Sequence, residues 1–511
     1  MDTIRIKNVR SIIDSGDIEL NSINLLLGKN SSGKSSFLRL FPMLKESARN
    51  ELRGPVLWFD ENYDFGSFSN TLSRHANQEK DTLTLGFSWK PHKKNSSLFY
   101  SSLLYYESNI METESVSVNL CIGKKGDEII LKRMGIKLDE TIINIGYPKE
   151  KSHLQLIVND RVINTFEFEW NYGSSSLLPR LQVLNKTSVV NVLGSSLKAI
   201  YGEKQVDFNP FLIVPHIKQF SKEDVWDYVE SNFIKAKNKK GRFDKDEENS
   251  NMIIDAVFLM AINAILHYID DYLTNYFRHT YYITPLRYNF QRYMRNRDLA
   301  VDYIESSGKN VMEYILSLKK VERENYFNYI KKTLKIEVDV EGEDNKSIFI
   351  KTEDGERDNI VDVGYGFSQI LPIATTLWDR AYKKTDDEYE NTIVIEQPEV
   401  HLHPAMQKRL AILFVEALNI AKTRKKTLKL IVETHSQHLV NHLGKYVANS
   451  NPPEVEELLR FFKTDSEEDI KINNEEISVY LFEKKEGVTT ITKTGYDKRG
   501  QIERWPIGFL D

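Results

Sequence analysis

Residues 28–35 read GKNSSGKS, and no other feature of the chain restricts its fold as much. The pattern is G-x-x-x-x-G-K-[ST], the phosphate-binding P-loop, which requires a strand before it and a helix after it. Both are legible: the apolar run Ile23, Asn24, Leu25, Leu26, Leu27 precedes the loop, and Ser36, Phe37, Leu38, Arg39, Leu40 continue it as a helix. The glycines let backbone N–H groups wrap phosphates, and the helix N-terminus adds its positive end. Lys34 is expected to reach the β- and γ-phosphates and Ser35 to hold Mg²⁺, with Asn30, Ser31, Ser32, Gly33 and Ser36 completing the cradle. A nucleoside triphosphate is the expected ligand.

Composition narrows the setting. At 511 residues the chain holds two to four folding units, and 41% hydrophobic with 11% aromatic content supports large packed cores. A net charge of −5 argues against a surface coated for nucleic acid, while leaving room for a local basic groove. A single cysteine, Cys121, excludes an internal disulfide framework and a cysteine-based metal cluster. The first residues, MDTIRIKNVRS, lack a signal-peptide core, and no run of about 18 apolar residues appears. The expectation is a soluble, cytoplasmic chain without a membrane partner.

Along the chain, residues 3–9 alternate as a strand and residues 18–20 form a second short one. The helix after the P-loop is expected to run to about Arg49. Short alternating segments from about Thr82 to Ile163 predict an antiparallel β-layer. Residues 210–278 read as helical, interrupted by a charged loop at 235–250. Within them Phe258, Ile262, Ile265 and Ile269 mark one face of a buried helix, widened by Leu259 and Leu266. A helical block at 310–335 and a β pair at 336–340 and 347–351 follow, and α/β alternation resumes from about Asp362.

Three later segments complete the nucleotide chemistry. Residues 392–396, TIVIE, form an apolar strand ending in Glu396, the Walker B arrangement that delivers an acid to the Mg²⁺ shell beside Ser35. It continues as Gln397, Pro398, Glu399, Val400, His401, Leu402, His403. Residues 428–433 form another apolar strand, followed by Thr434, His435 and Ser436. Alone, His435 reads as a surface histidine; behind a P-loop and a Walker B strand it reads as a γ-phosphate sensor. Upstream, residues 363–369 (VGYGFSQ) stand directly before an apolar helix at 370–377, either as an anion site or as an ordinary glycine-rich cap.

The order of P-loop, glycine-rich helix start, Walker B strand and terminal histidine resembles ABC-type ATPases. The opening IRIKNVRS, the GKNSSGKSS loop, EQPEVHLHP and ETHS resemble the branch with the chromosome-maintenance and repair ATPases and the overcoming-lysogenisation-defect family. Residues 282–287 (YITPLR) and 505–509 (WPIGF) look like the smaller, arm-less ATPases of Septu-type antiphage systems, some accompanying retrons. The resemblance implies an α/β ABC-type head with a flanking antiparallel layer and inserted β and helical segments. It divides the chain into an N-terminal lobe (1–90), a β-rich layer (91–208), a helical insertion (209–280), a C-terminal lobe (281–445) and an extension (446–511). It implies ATP sandwiched in a homo-oligomer, with Gly366, Phe367, Ser368 and Gln369 completing the site in trans. It also places Arg10 and Ser11 near adenine and ribose, and makes Gln78 the nearest candidate for a lid glutamine.

Two departures from that pattern matter. The position after the Walker B acid, where the family carries a general base, holds Gln397. A glutamine orients water but takes no proton at neutral pH, so slow hydrolysis is expected unless Glu399 substitutes. Second, the acids after His435 (Glu454, Glu456, Glu457, Asp465, Glu467, Glu468, Asp469) read as a solvated charge run rather than a two-metal nuclease centre. Any nuclease is therefore expected to be a separate subunit. His401, His403, His435, His438 and His442 show no zinc spacing. Basic residues 422–426 read as a solvated loop that could touch nucleic acid, and the Tyr/Arg-rich segment (Tyr281, Tyr282, Tyr288, Tyr293, Arg287, Arg292, Arg295, Arg297) is compatible with nucleic-acid contact or with a packed helix beside the nucleotide. The leading expectation is an ATP-binding assembly controlling a nuclease in antiphage defence, with DNA or an RNA–DNA product as a possible component. The alternatives are a DNA repair or maintenance clamp and a stand-alone nuclease.

Overall fold

The computed structural model describes residues 1–75, 82–91, 113–148, 153–173, 176–184, 188–208, 220–235, 246–295, 300–352, 355–383, 389–450 and 470–505. Gln78, Arg297, the acidic run from Glu454 to Asp469, most of the 235–250 loop and residues 506–509 lie outside them. The chain forms two compact units: one of Met1–Asn8, Glu46–Leu57 and Ala76–Asn275, the other of Val9–Lys45, Trp58–His75 and Tyr276–Asp511.

In the first unit, alternation of apolar and polar residues yields the antiparallel sheet the sequence predicts. Strand Thr3–Val9 pairs with Thr82–Trp89, and a meander continues through Val116–Lys125, Glu128–Leu138, Thr141–Gly146, Leu154–Val158, Arg161–Asn171 and Arg180–Val183. The sheet outlasts its expected limit at Ile163 and is followed by an unforeseen helix, Val189–Tyr201. The helix Glu247–Arg278 has the length and composition of a membrane span, yet most of its apolar stretch is buried. Phe258, Ile262, Ile265 and Ile269 are all in the core, as their spacing predicts. Its Asp255 pairs with Arg161 at 2.9 Å, and its Asp270 accepts from the backbone N–H of Leu177 and Leu178 at 3.0 and 2.8 Å.

The second unit is built on five parallel strands in the order Ile477–Lys485, Ile23–Leu27, Leu428–Glu433, Asn391–Glu396, Thr280–Ile283. Fully buried parallel strands read as continuous apolar runs, and residues 23–27, 391–396 and most of 428–433 are buried accordingly. Asn24 is the exception within its run, and its amide is satisfied by the carbonyls of Asn21 (2.7 Å) and Leu430 (3.0 Å). Helices Tyr365–Tyr382 and Pro404–Thr423 supply much of the core beside the sheet, with Trp378 fully buried.

Three local readings are corrected. The P-loop helix breaks at Arg39 into Lys34–Leu38 and Leu40–Arg49. The block at 310–335 is two helices, Val311–Ser317 and Lys320–Leu334. The apolar helix expected at 370–377 begins inside the glycine-rich motif, at Tyr365, because Gly364 takes φ 92° and ends the extended chain there.

Candidate nucleotide site

The site lies in the second unit, at the C-terminal ends of its parallel strands, where open α/β sheets bind ligands. The strand Ile23–Leu27 opens directly into the loop, which turns through Gly28 (φ 151°), Ser31 (φ 61°) and Gly33 (φ 103°). Asn30 and Ser31 are exposed, whereas Ser32 and Lys34 are buried. A side chain at Gly28 would place its Cβ 2.3 Å from the Phe482 carbonyl oxygen, so this turn requires glycine. Lys34 Nζ donates to the carbonyls of Gly28 and Lys29, both at 2.8 Å, drawing the loop round its ammonium. Burial lowers the Lys34 pKa, opposed by Glu433. The buried Ser32 hydroxyl has no hydrogen-bond partner among the described residues.

Ser35 donates to Glu433, its Oγ lying 2.9 and 3.2 Å from the two carboxylate oxygens. Glu433 ends the strand beside the P-loop strand, in register with Leu26, and is also in register with Glu396 on its other side. Lys34 Nζ stands 3.8 Å from it. Burial pushes the Glu433 carboxyl up to about 7; Lys34 works against that and Glu396 adds to it. Glu396 does not touch Ser35. Its carboxylate is gripped by Arg39 (Nη2 2.8 Å, Nε 3.2 Å) and by the Tyr282 hydroxyl. Burial works to lower the half-buried Arg39, but Glu396 more than offsets this.

Beyond Glu396 the backbone turns sharply, with Gln397 at φ 47°, a left-handed conformation unusual for a side chain with a Cβ. The turn is pinned from two sides. Gln397 N–H donates to the Glu433 carbonyl at 3.0 Å, and the buried Arg287 donates to the carbonyls of Glu396 and Gln397 at 3.1 and 3.2 Å. Desolvation lowers Arg287 to about 10. Glu399 commits both oxygens to the end of the neighbouring strand, accepting from His435 N–H at 2.6 Å and from Thr434 Oγ1 at 2.8 Å. Burial raises its pKa nonetheless. His435 is lowered to about 4 by burial and by Lys34, so its imidazole is neutral near pH 7. Ser436 caps helix Gln437–Asn449 through Leu439 N–H (3.0 Å).

Arg10 and Ser11 line a cavity of about 560 Å³ with Asp64, Phe65, Lys484 and Gly487, a size suited to a small ligand. Arg10 donates to the Asp64 carbonyl at 2.9 Å and lies 4.9 Å from the Phe65 ring centre. Thr489 Oγ1 is 2.8 Å from both Ser11 Oγ and the Ser32 carbonyl, so it joins the Arg10–Ser11 side to the P-loop. The glycine-rich motif stands apart from these residues. Ser368 and Gln369 are buried in their own helix, while Gly366 and Phe367 are half-buried and Tyr365 is exposed. Tyr365 faces His401 at 6.4 Å between ring centres.

The sequence reading misses Glu433, Arg39 and Thr489, whereas Tyr282 and Arg287, which it offers for nucleic-acid contact or for packing beside the nucleotide, contact Glu396 and the Glu396–Gln397 backbone. A signal existed for Thr489: the run ISVYLF, then a two-residue Glu486-Gly487 turn with φ 50° and 84°, then VTTITKT, forms a hairpin of the kind such turns favour. Among the described residues, no group of three or more His, Cys, Asp or Glu side chains is arranged to hold a metal ion by itself.

A family profile described as "AAA ATPase domain" matches residues 1–440. Endonuclease GajA of Bacillus cereus (strain HuB5-5) is 33% identical over 101 residues, which is 17% of this chain. The match takes in 14% of that protein's length. Among solved structures, an SMC head bound to the C-winged helix domain of ScpA aligns with TM-score 0.37 at 10% identity, over 97% of this chain and 98% of that one. The SMC head domain from Thermotoga maritima aligns with TM-score 0.35 at 10% identity, over 96% and 97%.

Proposed function

Since the chain belongs to the AAA ATPase domain family, we propose that it binds Mg·ATP at the P-loop and hydrolyses it slowly, as the nucleotide-controlled part of an oligomeric assembly. One observation carries the reading. Lys34, Ser35, Glu433, Glu399 and His435 converge on the loop through direct contacts or a shared strand end. The donors fit magnesium, which favours hard oxygens and takes one or two protein groups plus substrate phosphates. Ser35 and a strand-end carboxylate would hold it, and the ion would neutralise charge on the β- and γ-phosphates. Lys34 binds those phosphates, neutral His435 donates toward the γ-phosphate, and Gln397 orients water.

Slow turnover follows from two features. Gln397 offers no base, and Glu399 has both oxygens occupied by Thr434 and His435. A long-lived ATP state suits an assembly that restrains or positions another enzyme. The relative named an endonuclease supports a link to nuclease chemistry. We assign that activity to a separate subunit, in antiphage defence, with nucleic acid as a further component. The five-segment division of the chain, with Gly366 and Phe367 facing a second protomer's nucleotide, belongs to the same proposal. The test is ATP binding, turnover and oligomeric mass of the pure chain, with Lys34→Ala as the blank. Tight Mg·ATP binding with little turnover is expected; brisk turnover would overturn the slow-clock reading.

A further inference from the structure

We infer that Arg287 is a positioning residue for ATP hydrolysis, holding the turn that presents Gln397 to the attacking water. This rests on the Mg·ATP reading above and adds a part to that site. The guanidinium is only 6% exposed, yet its Nη2 donates to nothing but two backbone carbonyls, those of Glu396 and Gln397, at 3.1 and 3.2 Å. Its Nε and Nη1 have no hydrogen-bond partner among the described residues. Glu399 attracts it only from a distance, while Thr434 and His435 occupy both Glu399 oxygens. A buried charge without an ion-pair partner costs stability, and so does each orphaned buried donor. Packing alone is served better by an apolar side chain of similar volume. The arginine is therefore explained by what it grips.

It grips the turn after the Walker B strand. Gln397 stands there at φ 47°, and a backbone in that region persists only where its surroundings hold it. The φ and ψ of a residue set the angle between the peptide planes on its two sides. Arg287 Nη2 binds the carbonyl of the plane before Gln397 and the carbonyl of the plane after it, so a single planar group fixes both. Arg287 is itself anchored. It follows strand Thr280–Ile283 in a segment whose Thr284 and Tyr288 N–H groups donate to the carbonyls of Ser306 and Ser307, at 3.1 and 2.9 Å. A glutamine that orients water depends on direction, and a misplacement of about 1 Å costs about 100-fold in rate.

The experiment uses the full chain, reading single-turnover phosphate release from Mg·ATP and, separately, affinity for a non-hydrolysable ATP analogue. Arg287→Met fills the space without charge or donors. It is expected to slow release by about 10- to 100-fold, with analogue affinity and melting temperature close to wild type. Arg287→Lys, which keeps the charge and a donor for the two carbonyls, is expected to recover part of the rate. The deciding comparison is a cycle with Gln397→Ala. Because Arg287 acts through Gln397, adding Arg287→Met to Gln397→Ala should slow release no further. Losses that multiply in the double variant, wild-type turnover in Arg287→Met, or a loss of analogue affinity as large as the loss of rate overturns the assignment. Where Arg287→Met folds poorly, the same cycle run with Arg287→Lys decides. A wild-type chain that binds no analogue would sink the Mg·ATP reading and this assignment with it, whereas normal binding and release with a failed cycle sinks this assignment alone.

Discussion

At the scale of single residues, the site is a set of charges whose values depend on burial. Lys34 is nearly inaccessible, at 2% exposure, and its ammonium is balanced by two carbonyls and Glu433. Lys34→Ala removes that charge, and nucleotide affinity should fall by about 10- to 100-fold, the worth of a charged hydrogen bond, as read by calorimetric titration. Gln397→Glu adds the missing base at an already formed turn. Turnover should rise by a sizeable part of the 10²–10⁴ that general bases contribute, measured as phosphate release. Glu399→Gln tests the competing idea. Its carboxylate holds Thr434 and His435 in place, so the variant should lose about 1–3 kcal/mol of stability, seen as a lower melting temperature. A collapse of turnover in a chain that melts normally would instead make Glu399 the base.

At the scale of elements, loops are positioned by what lies behind them. The hairpin of Ile477–Lys485 and Val488–Thr494 backs the P-loop, with the Phe482 carbonyl 2.3 Å from where a Cβ on Gly28 would be. Gly28→Ala therefore forces either the loop or the hairpin to move. It should destabilise by about 1–3 kcal/mol, and it should weaken ATP binding more than Gly33→Ala, whose nearest neighbour is a threonine hydroxyl at 3.0 Å. Paired melting curves and titrations of both variants check this ordering. Legibility also divides at this scale. Strands Thr3–Val9 and Ile23–Leu27 are read correctly because period and apolar content are local. The break at Arg39 is not read, although its signal is local as well: Pro42 offers no N–H to the Leu38 carbonyl four residues earlier.

At the scale of the whole molecule, the proposed ATP-linked dimer depends on a surface. Ser368 and Gln369 are buried in their own protomer, leaving Tyr365, Gly366 and Phe367 at the helix start to meet a partner. Gly366 has only ordinary contacts around a Cβ, 3.7 Å from Leu402, so a side chain there fits the fold. Gly366→Asp should leave the melting temperature nearly unchanged and abolish any Mg·ATP-dependent rise in mass. Light scattering with and without the analogue checks it, and a dimer surviving the change would move the interface elsewhere.

What the sequence determined by itself is the chemistry carried by contiguous residues. The P-loop binds through its own successive backbone amides and Lys34, so eight adjacent letters specify it, and the strands ending in Glu396 and Glu433 are equally local. The tertiary structure alone decided which acid serves which partner. Glu396 and Glu433 look alike in sequence, each closing an apolar strand, and only the strand order puts Glu433 beside Leu26 and Ser35. Likewise Thr489, hundreds of residues from the P-loop, reaches the Ser32 carbonyl only because the hairpin pairs in parallel with Ile23–Leu27. Hydrogen bonding between distant strands is set by register and packing, which no local pattern encodes.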